Sequence, residues 1–320
     1  MQAYIIRRLF LMIPTLFLVT MLVFSVSRLI PGDVIDLMVA DMSEMGATQS
    51  ELTRENIRHL LGLDIPVHVQ YGRWVGNALQ GDLGRSLWTD RAVTEDLMTR
   101  APVSIELGLL AVIVALLIAL PIGVYSAIRQ DTGGDYIGRT IAVLAISLPS
   151  FWIATLIIVY PSLWWGWSPP VTYIPLADDL TGNLLQFIIP AVILGMLMSG
   201  TTMRLTRTMM LEVLRQDYIR TAWAKGLTER TVVLRHALKN TLIPVVSMIG
   251  LLIPIVIGGS VVIETIFCLP GIGLLMIEAL TNRDYPILSG INLMVAVAVL
   301  VLNLGVDLTY GWLDPRVHYR

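Results

Sequence analysis

Charged side chains are scarce in this sequence of 320 residues. They make up 14% of the chain, whereas a soluble domain carries about 25%. A soluble protein of this length would still need a polar surface around its core, so we expect lipid to cover most of this one. The net charge of −2 gives no reason to expect nucleic acid as a partner.

Cysteine and lysine are nearly absent. The single cysteine, Cys268, excludes an intrachain disulfide and a multi-cysteine metal site. Neither lysine, Lys225 or Lys239, has the Gly-rich spacing of a P-loop, so the chain has no Walker-type nucleotide site of its own. The sequence also lacks the His-Glu-x-x-His and Gly-x-Ser-x-Gly motifs. We therefore expect no catalytic residue, no metal site and no cofactor bound by this chain.

Apolar residues are abundant, at 55% of the chain with a mean hydropathy of +0.73. A helix needs about 20 such residues to cross the hydrocarbon core. Six stretches reach that length: residues 9–30, 102–128, 141–160, 184–203, 242–263 and 287–306. Most contain a proline, which packed neighbours tolerate in a membrane and which favours kinked helices. The sequence predicts an all-α membrane protein with six transmembrane helices.

The first stretch has an alternative interpretation as a signal peptide. Arg7 and Arg8 precede the apolar run, and Ser25 to Ser27 resemble a small-residue cleavage site. The run is longer than the roughly 7–15 apolar residues of a signal peptide. We therefore favour a retained transmembrane helix.

Arginine and lysine in the short loops predict the orientation. They lie at both termini and in or beside the second-to-third and fourth-to-fifth connections: Arg7, Arg8, Arg129, Arg139, Arg204, Arg207, Arg215, Arg220, Lys225, Arg230, Arg235, Lys239, Arg316 and Arg320. The connection between the third and fourth stretches has none, and the next outer one has only Arg283. Both termini are therefore predicted to be cytoplasmic.

Three regions follow from this topology. Residues 1–30 form the cytoplasmic N-terminus and first span, residues 31–101 an outer loop, and residues 102–320 a five-helix core with a charged loop at 204–241. The outer loop contains two helical patterns, at residues 54–62 and after Pro66. The second places Tyr71 and Trp74 on one face. That face can lie on the membrane, pack on the protein or meet an external partner, and packing is favoured.

Few polar side chains lie in or near the spans. Glu264, Asn292 and Asn303 are candidate pathway or gating residues, because an ionisable or polar group in a membrane often has a function. Their positions are equally consistent with structural anchoring. A secondary carrier would place carboxylates at midplane between repeats with broken helices. Neither feature is visible here, which disfavours that class.

The stretch DYIRTAWAKGLTERTVVLRHAL predicts two amphipathic helices joined by a tight turn. The apolar face of the first consists of Ile219, Ala222, Trp223 and Leu227, and that of the second of Val233, Leu234, Ala237 and Leu238. Gly226 ends the first helix and Thr228 is a plausible N-cap of the second. The pattern fits a helix pair on the lipid surface and a docking element for a soluble partner equally well.

This segment resembles the cytoplasmic loop of permease subunits from binding-protein-dependent ABC importers, specifically the oligopeptide/dipeptide/nickel branch. The general family loop reads Glu-Ala-Ala, three residues, then Gly, and of these positions Ala222 and Gly226 match. The branch form is closer, through DYIRTAWAKGL and RHALKNTLIPV. Further branch-like pieces occur in order: IPGD (30–33), GDLGRS (81–86), SLPSFW (147–152), ETIFCLPGIG (264–273) and LDPR (313–316).

The resemblance implies a type I ABC importer permease fold, in which residues 204–241 are the coupling loop. It also implies a location in the cytoplasmic (inner) membrane of a bacterium or archaeon. It implies that the residues contacting the ATPase are Asp217, Tyr218, Arg220, Thr221, Ala222, Lys225, Gly226, Leu227, Arg235 and His236. The expected partners are a homologous second permease in a heterodimer, two ABC ATPases that use ATP and Mg, an external solute-binding protein and membrane lipid.

The resemblance also limits the substrate. Peptides are the leading class, with nickel chelates, glutathione and oligosaccharides as alternatives. A secondary carrier without ATPase partners and a structural or signalling membrane subunit are the alternatives of another class.

Overall fold

The computed structural model describes residues 2–29, 64–170 and 172–313. These residues form helices and loops, with one isolated antiparallel bridge between Arg85 and Ala92. In chain order the helical elements are α1 (Gln2–Leu29), α2 (Val67–Leu79), α3 (Val93–Ile128), α4 (Gly133–Ser147), α5 (Ser150–Trp165), α6 (Leu180–Leu214), α7 (Asp217–Ala224), α8 (Glu229–Thr231), a π-helical segment (Val232–Ala237), α9 (Leu238–Ile266), α10 (Ile272–Thr281) and α11 (Tyr285–Leu313). The all-α prediction is therefore confirmed for this part of the chain. The helix predicted at residues 54–62, the motif at 30–33, and Arg316 and Arg320 lie outside the described residues.

Several helices can cross a membrane. By length and composition, four described stretches qualify: Val93–Ile128, Leu180–Leu214, Glu229–Leu252 and Tyr285–Val306. A fifth results if α4 and α5 are counted as one broken span. The first predicted stretch falls in α1, but its described apolar part, Phe10–Ser25, is shorter than the roughly 20 residues a span needs. A multi-pass membrane protein is supported, and the count of six stays a prediction.

The third predicted stretch is not one continuous helix. α4 ends at Ser147 and α5 begins at Ser150, with an angle of 91° between them. Pro149 explains the break, because a proline ring disfavours helical backbone at the residue before it. Leu148 accordingly has an extended ψ of 124°. The sequence predicted a kink, and the structure replaces the single span of residues 141–160 by two helices.

The described chain divides into two compact units, of which the first comprises residues 103–274 with 301–313. Its core joins α3, α6 and α9 through Leu107, Phe187 and Ile263, all fully buried. Two glycines of α6 permit close helix contacts, as small residues do in membrane proteins. A Cβ atom on Gly195 would lie 2.8 Å from the carbonyl oxygen of Ala111 in α3. A Cβ on Gly200 would lie 2.6 Å from that of Ala142 in α4. Thus α6 is the central helix of this unit.

The second unit comprises residues 2–29, 64–102 and 275–300. The aromatic face of α2 packs on α1 within it. The ring centroids of Phe24 lie 5.5 Å from Tyr71 and 6.1 Å from Trp74. The hydroxyl oxygens of Thr20 and Tyr71 are 3.0 Å apart. The packing predicted for this face is confirmed.

A buried carboxylate fixes the GDLGRS segment in the same unit. Ser86 donates a 2.6 Å hydrogen bond to Asp284, and the Leu87 N–H donates another of 3.2 Å. The Trp88 indole N–H donates to the Asn282 carbonyl at 2.8 Å. Burial raises the pKa of Asp284 despite these bonds. The segment is therefore attached to the turn before α11.

Candidate functional site

The first arm of the predicted coupling loop is α7. Ile219 and Ala222 form its inner face, with 0% and 6% of their surfaces exposed, as the sequence predicted. Trp223 was assigned to the same face but is 45% exposed. Around a helix of 3.6 residues per turn, Ile219 lies between Ala222 and Trp223. The large indole is thus at the edge of a narrow buried face and stays accessible.

A glycine turn ends this arm, as predicted. Gly226 has a φ of +76°, which a residue with a Cβ adopts only at a cost. Its N–H donates to the Trp223 carbonyl at 2.9 Å, and the Leu227 N–H donates to the Ala222 carbonyl at 3.4 Å. Thr228 occupies the N-cap position of α8, but its hydroxyl caps no backbone N–H. Instead its hydroxyl oxygen lies 3.0 Å from that of Thr231, so the predicted cap bond is wrong.

The second arm is not a regular α-helix. After the single turn of α8, residues Val232–Ala237 are π-helical. A π segment bonds residue i to i+5 and so rotates the following side chains relative to an α-helix. Val233 and Ala237 are buried as predicted, whereas Leu234 is 50% exposed. Leu234 lines a lateral groove of about 650 Å³ together with Leu120 and Tyr125 of α3.

The inner faces of both arms share one hydrophobic cluster. Ile219 and Val232 pack there with Ala127 near the end of α3 and Met210 near the end of α6. The cluster therefore attaches both arms to two long helices of the same unit. Ala222 belongs to it, so within this chain Ala222 supports the loop from its inner side.

Most of the other predicted contact residues lie on the outer side of the loop. Those exposed are Asp217, Tyr218, Arg220, Thr221, Lys225, Gly226 and Arg235, whereas Leu227 and His236 are half-buried. Few internal bonds restrain this surface. Asn240 donates a 2.7 Å hydrogen bond to the Tyr218 hydroxyl, and Arg129 forms a 3.4 Å ion pair with Glu229. The arrangement offers a protruding, charged helix on a buried apolar base.

Glu264, a candidate gating residue, is completely buried. Its carboxylate accepts hydrogen bonds from the Gly273 N–H at 2.7 Å, the Leu274 N–H at 3.1 Å and the Ser104 hydroxyl at 2.7 Å. It therefore satisfies free N–H groups at the start of α10. A Cβ on Gly273 would lie 2.8 Å from the same carboxylate, which explains why the ETIFCLPGIG motif has a glycine there.

The two candidate asparagines have less distinctive surroundings. Asn292 donates to the Leu288 carbonyl of its own helix at 2.8 Å. Asn303 is exposed on α11. In the part of the chain that the structure describes, no three His, Cys, Asp or Glu side chains are grouped so as to hold a metal ion.

A buried charge cluster around Asp135 was missed from the sequence. Arg207 of α6 donates two hydrogen bonds of 2.8 Å to the Asp135 carboxylate, one to each oxygen. Arg139 donates from the next turn of α4, and Ser126 of α3 and the Asp131 N–H complete the shell. In the sequence, Arg139 and Arg207 are visible only as orientation signals. The i,i+4 spacing of Asp135 and Arg139 was the one available sign of a local pair.

Known proteins match this chain along its whole length. Residues 1–108 match the N-terminal model of binding-protein-dependent transport system membrane components, and residues 119–319 match the model of the inner membrane component of such systems. The oligopeptide transport system permease protein AppB of Bacillus subtilis is 40% identical, and the di/tripeptide transport system permease protein DppB of Pseudomonas aeruginosa is 39% identical. The dipeptide transport system permease protein DppB of Escherichia coli is 35% identical. Each alignment covers 100% of both chains. A crystal structure of an amino acid ABC transporter has a TM-score of 0.48 and 14% identity, over 70% of this chain and 95% of that one.

Proposed function

The chain belongs to the family of binding-protein-dependent transport system inner membrane components, and we propose that the solute it carries is a peptide. It is a permease subunit of an ABC importer, as the resemblance in its motifs implied. The observation that carries the peptide assignment is full-length identity of 35–40% to permeases named for oligopeptide, dipeptide and di/tripeptide transport. Nickel chelates, glutathione and oligosaccharides have no comparable support.

We propose further that the coupling loop is the docking site for an ABC ATPase subunit. The exposed residues Asp217, Arg220 and Lys225 would face this partner, and the buried pair Ile219 and Ala222 would hold α7 in place. The geometry suits this role, because a rigid base makes a small helix an effective transmitter of force. ATP and Mg would be used by two such ATPase subunits, and this chain would bind neither.

The remaining assembly follows the same premise. A homologous second permease would complete a heterodimer, and an external solute-binding protein would deliver the peptide. The topology would be six spans in the cytoplasmic membrane with both termini inside, supported by the arginine and lysine distribution. The predicted division at residues 30 and 101 would then separate the first span, the outer loop and the five-helix core.

We propose that Glu264 contributes to gating indirectly, by holding neighbouring helices in place. Its carboxylate would keep α10 fixed to the end of α9 and to α3, and so stabilise the turn over residues 267–271. Asn292 and Asn303 would be the remaining candidates for contact with the pathway.

Peptide uptake in cells that lack this gene tests the assignment. Radiolabelled dipeptides, tripeptides and pentapeptides should enter wild-type and complemented cells but not the deletion strain. Uptake should follow cellular ATP and persist when the proton gradient is dissipated. If the deletion strain takes up peptides normally but loses uptake of a nickel chelate, glutathione or an oligosaccharide, that solute is the substrate and the peptide assignment is wrong. Uptake that follows the proton gradient would favour a secondary carrier.

A further inference from the structure

Asp135 is a fully buried carboxylate in the first turn of α4, outside the coupling loop. Removing a carboxylate from water is costly, and a buried ion pair is seldom more stable than well-packed apolar residues of the same volume. Stability alone therefore explains the cluster poorly. A bidentate arginine–carboxylate pair does fix the distance and angle between two elements. Here those elements are α4 and α6.

The position of Arg207 on α6 connects this pair to the coupling loop. Arg207 lies one helical turn before Met210, which is buried in the cluster beneath α7. After Leu214, only Arg215 and Gln216 separate α6 from α7. A displacement of α7 is therefore passed to the end of α6 both through the chain and through packed side chains.

α4 has a second close contact with the same stretch of α6. Gly200 of α6 lies against the Ala142 carbonyl of α4, two turns from the ion pair. Two attachment points along both helices prevent α4 from sliding or rotating relative to α6. Beyond α4, the 91° bend at Pro149 leads into α5.

We propose that Asp135 is a positioning residue for transport, which makes α4 follow the movement of α6 when the coupling loop moves. This inference rests on the proposed function, since it presumes that an ATPase moves the coupling loop. The ion pair provides the rigid attachment, and its loss lets the coupling loop move without α4. Hydrolysis of ATP then continues while transport fails.

The test compares Asp135→Asn with Asp131→Asn in the complete transporter. Both changes remove one carboxylate charge, but the Asp131 side chain is exposed and contacts Arg139 and not Arg207. The Asp131 N–H that donates to Asp135 belongs to the backbone and is kept in Asp131→Asn. Peptide uptake and ATP hydrolysis are measured per unit of assembled complex. For Asp135→Asn we expect the ratio of uptake to hydrolysis to fall about tenfold, in the range of coupling changes caused by single mutations. Asp131→Asn should keep the wild-type ratio.

Exchange of the two charges provides a rescue. The double variant Asp135→Arg with Arg207→Asp restores an ion pair between α4 and α6, so its ratio should recover above that of either single variant. If Asp135→Asn does not accumulate in the membrane, Arg207→Lys serves instead, because lysine keeps the charge but loses the two-pronged geometry. A wild-type ratio in Asp135→Asn, or in Arg207→Lys when it is the variant used, would overturn the proposal. So would a parallel loss of uptake and hydrolysis, which indicates a role in stability only.

A distance measurement separates this inference from the proposed substrate. Spin labels at Thr140 of α4 and Thr208 of α6, both exposed, are attached after Cys268→Ser. The distance between the labels should stay constant through the ATP cycle in the otherwise wild-type complex and change with nucleotide in Asp135→Asn. If no peptide is transported but this difference is found, the substrate assignment fails and the inference stands. A distance that is constant in both proteins would contradict the inference whatever the substrate.

Discussion

Replacing Gly226 by valine tests the coupling loop with little other disturbance. A Cβ at this position would meet no atom within 4 Å, so the site has open space for a side chain. The effect comes from the backbone alone, since Gly226 has a φ of +76°. Valine in this left-handed conformation costs about 1–2 kcal/mol or more.

That cost is large enough to change the turn. A penalty of 1–2 kcal/mol shifts an equilibrium by a factor of about 5–30. The turn can avoid the penalty by adopting a negative φ, which reorients α7 relative to α8. The hydrogen bonds from Gly226 and Leu227 back to α7 would then be lost. The core cluster around Leu107, Phe187 and Ile263 contains no residue of the loop, so insertion and folding should continue.

The assay is retention of the ATPase by the affinity-tagged permease, together with ATP-driven peptide uptake. Gly226→Val should reach the membrane in nearly wild-type amounts but bind the ATPase about 5–30 times more weakly, following the shift in the turn. Uptake should fall at least as much.

Two controls identify the cause. Gly226→Asn should behave nearly as wild type, because asparagine tolerates the left-handed conformation. Gly81→Val imposes the same strain elsewhere, since Gly81 has a φ of +84° and open space around it, and it should leave ATPase retention intact. Normal retention and uptake in Gly226→Val would refute the assignment of this loop as the ATPase docking site.

Three further predictions concern other parts of the chain. Glu264→Ala should lower the thermal stability of the complex, because two buried N–H groups lose their acceptor at about 1–3 kcal/mol each; the neighbouring exposed variant Thr265→Ala should not, and equal stability of the two would contradict the capping role. Trp74→Ala should reduce the amount of folded complex, because the contact of the Trp74 ring with Phe24 is lost. Normal assembly with loss only of the stimulation of the ATPase by the binding protein would instead indicate that Trp74 contacts an external partner. The topology is tested by single cysteines in a chain carrying Cys268→Ser, with a membrane-impermeant thiol reagent. A cysteine at Arg220 should react only from the cytoplasmic side and one at Asp178 only from outside. Labelling of both from one side would reject the topology.

Local structure could be predicted from the sequence where it depends only on residues that are close along the chain. Gly226 ends α7 because glycine alone adopts its φ without strain, and the amphipathic spacing placed Ile219 and Ala222 on the buried face. Pro149 marked the break between α4 and α5 for an equally local reason. Its angle of 91° was not predictable, because packing of the two helices against others sets the direction.

Features that depend on distant residues were missed. Asp135 and Arg207 are 72 positions apart, and only the contact of α4 with α6 brings them together. The π-helical turn at Val232–Ala237 has no sequence signature comparable to a proline or glycine, so the separation of exposed Leu234 from buried Val233 and Ala237 could not be predicted. For Glu264 the sequence offered only an ionisable group near a span, because its hydrogen bonds from the N–H groups of Gly273 and Leu274 form only when the turn before α10 folds back on α9.

The most direct test of the account is ATP-driven peptide accumulation by the purified transporter. This chain, its partner permease, the two ATPases and the binding protein are reconstituted in sealed vesicles with the binding protein outside and ATP inside. Labelled peptide should accumulate only when ATP and binding protein are both present, and Gly226→Val should lower this accumulation by a factor of about 5–30 or more. Accumulation of peptide without ATP would contradict the assignment as an ABC importer. A complex that hydrolyses ATP when the binding protein carries another solute, but accumulates no peptide, would contradict the assignment of the substrate.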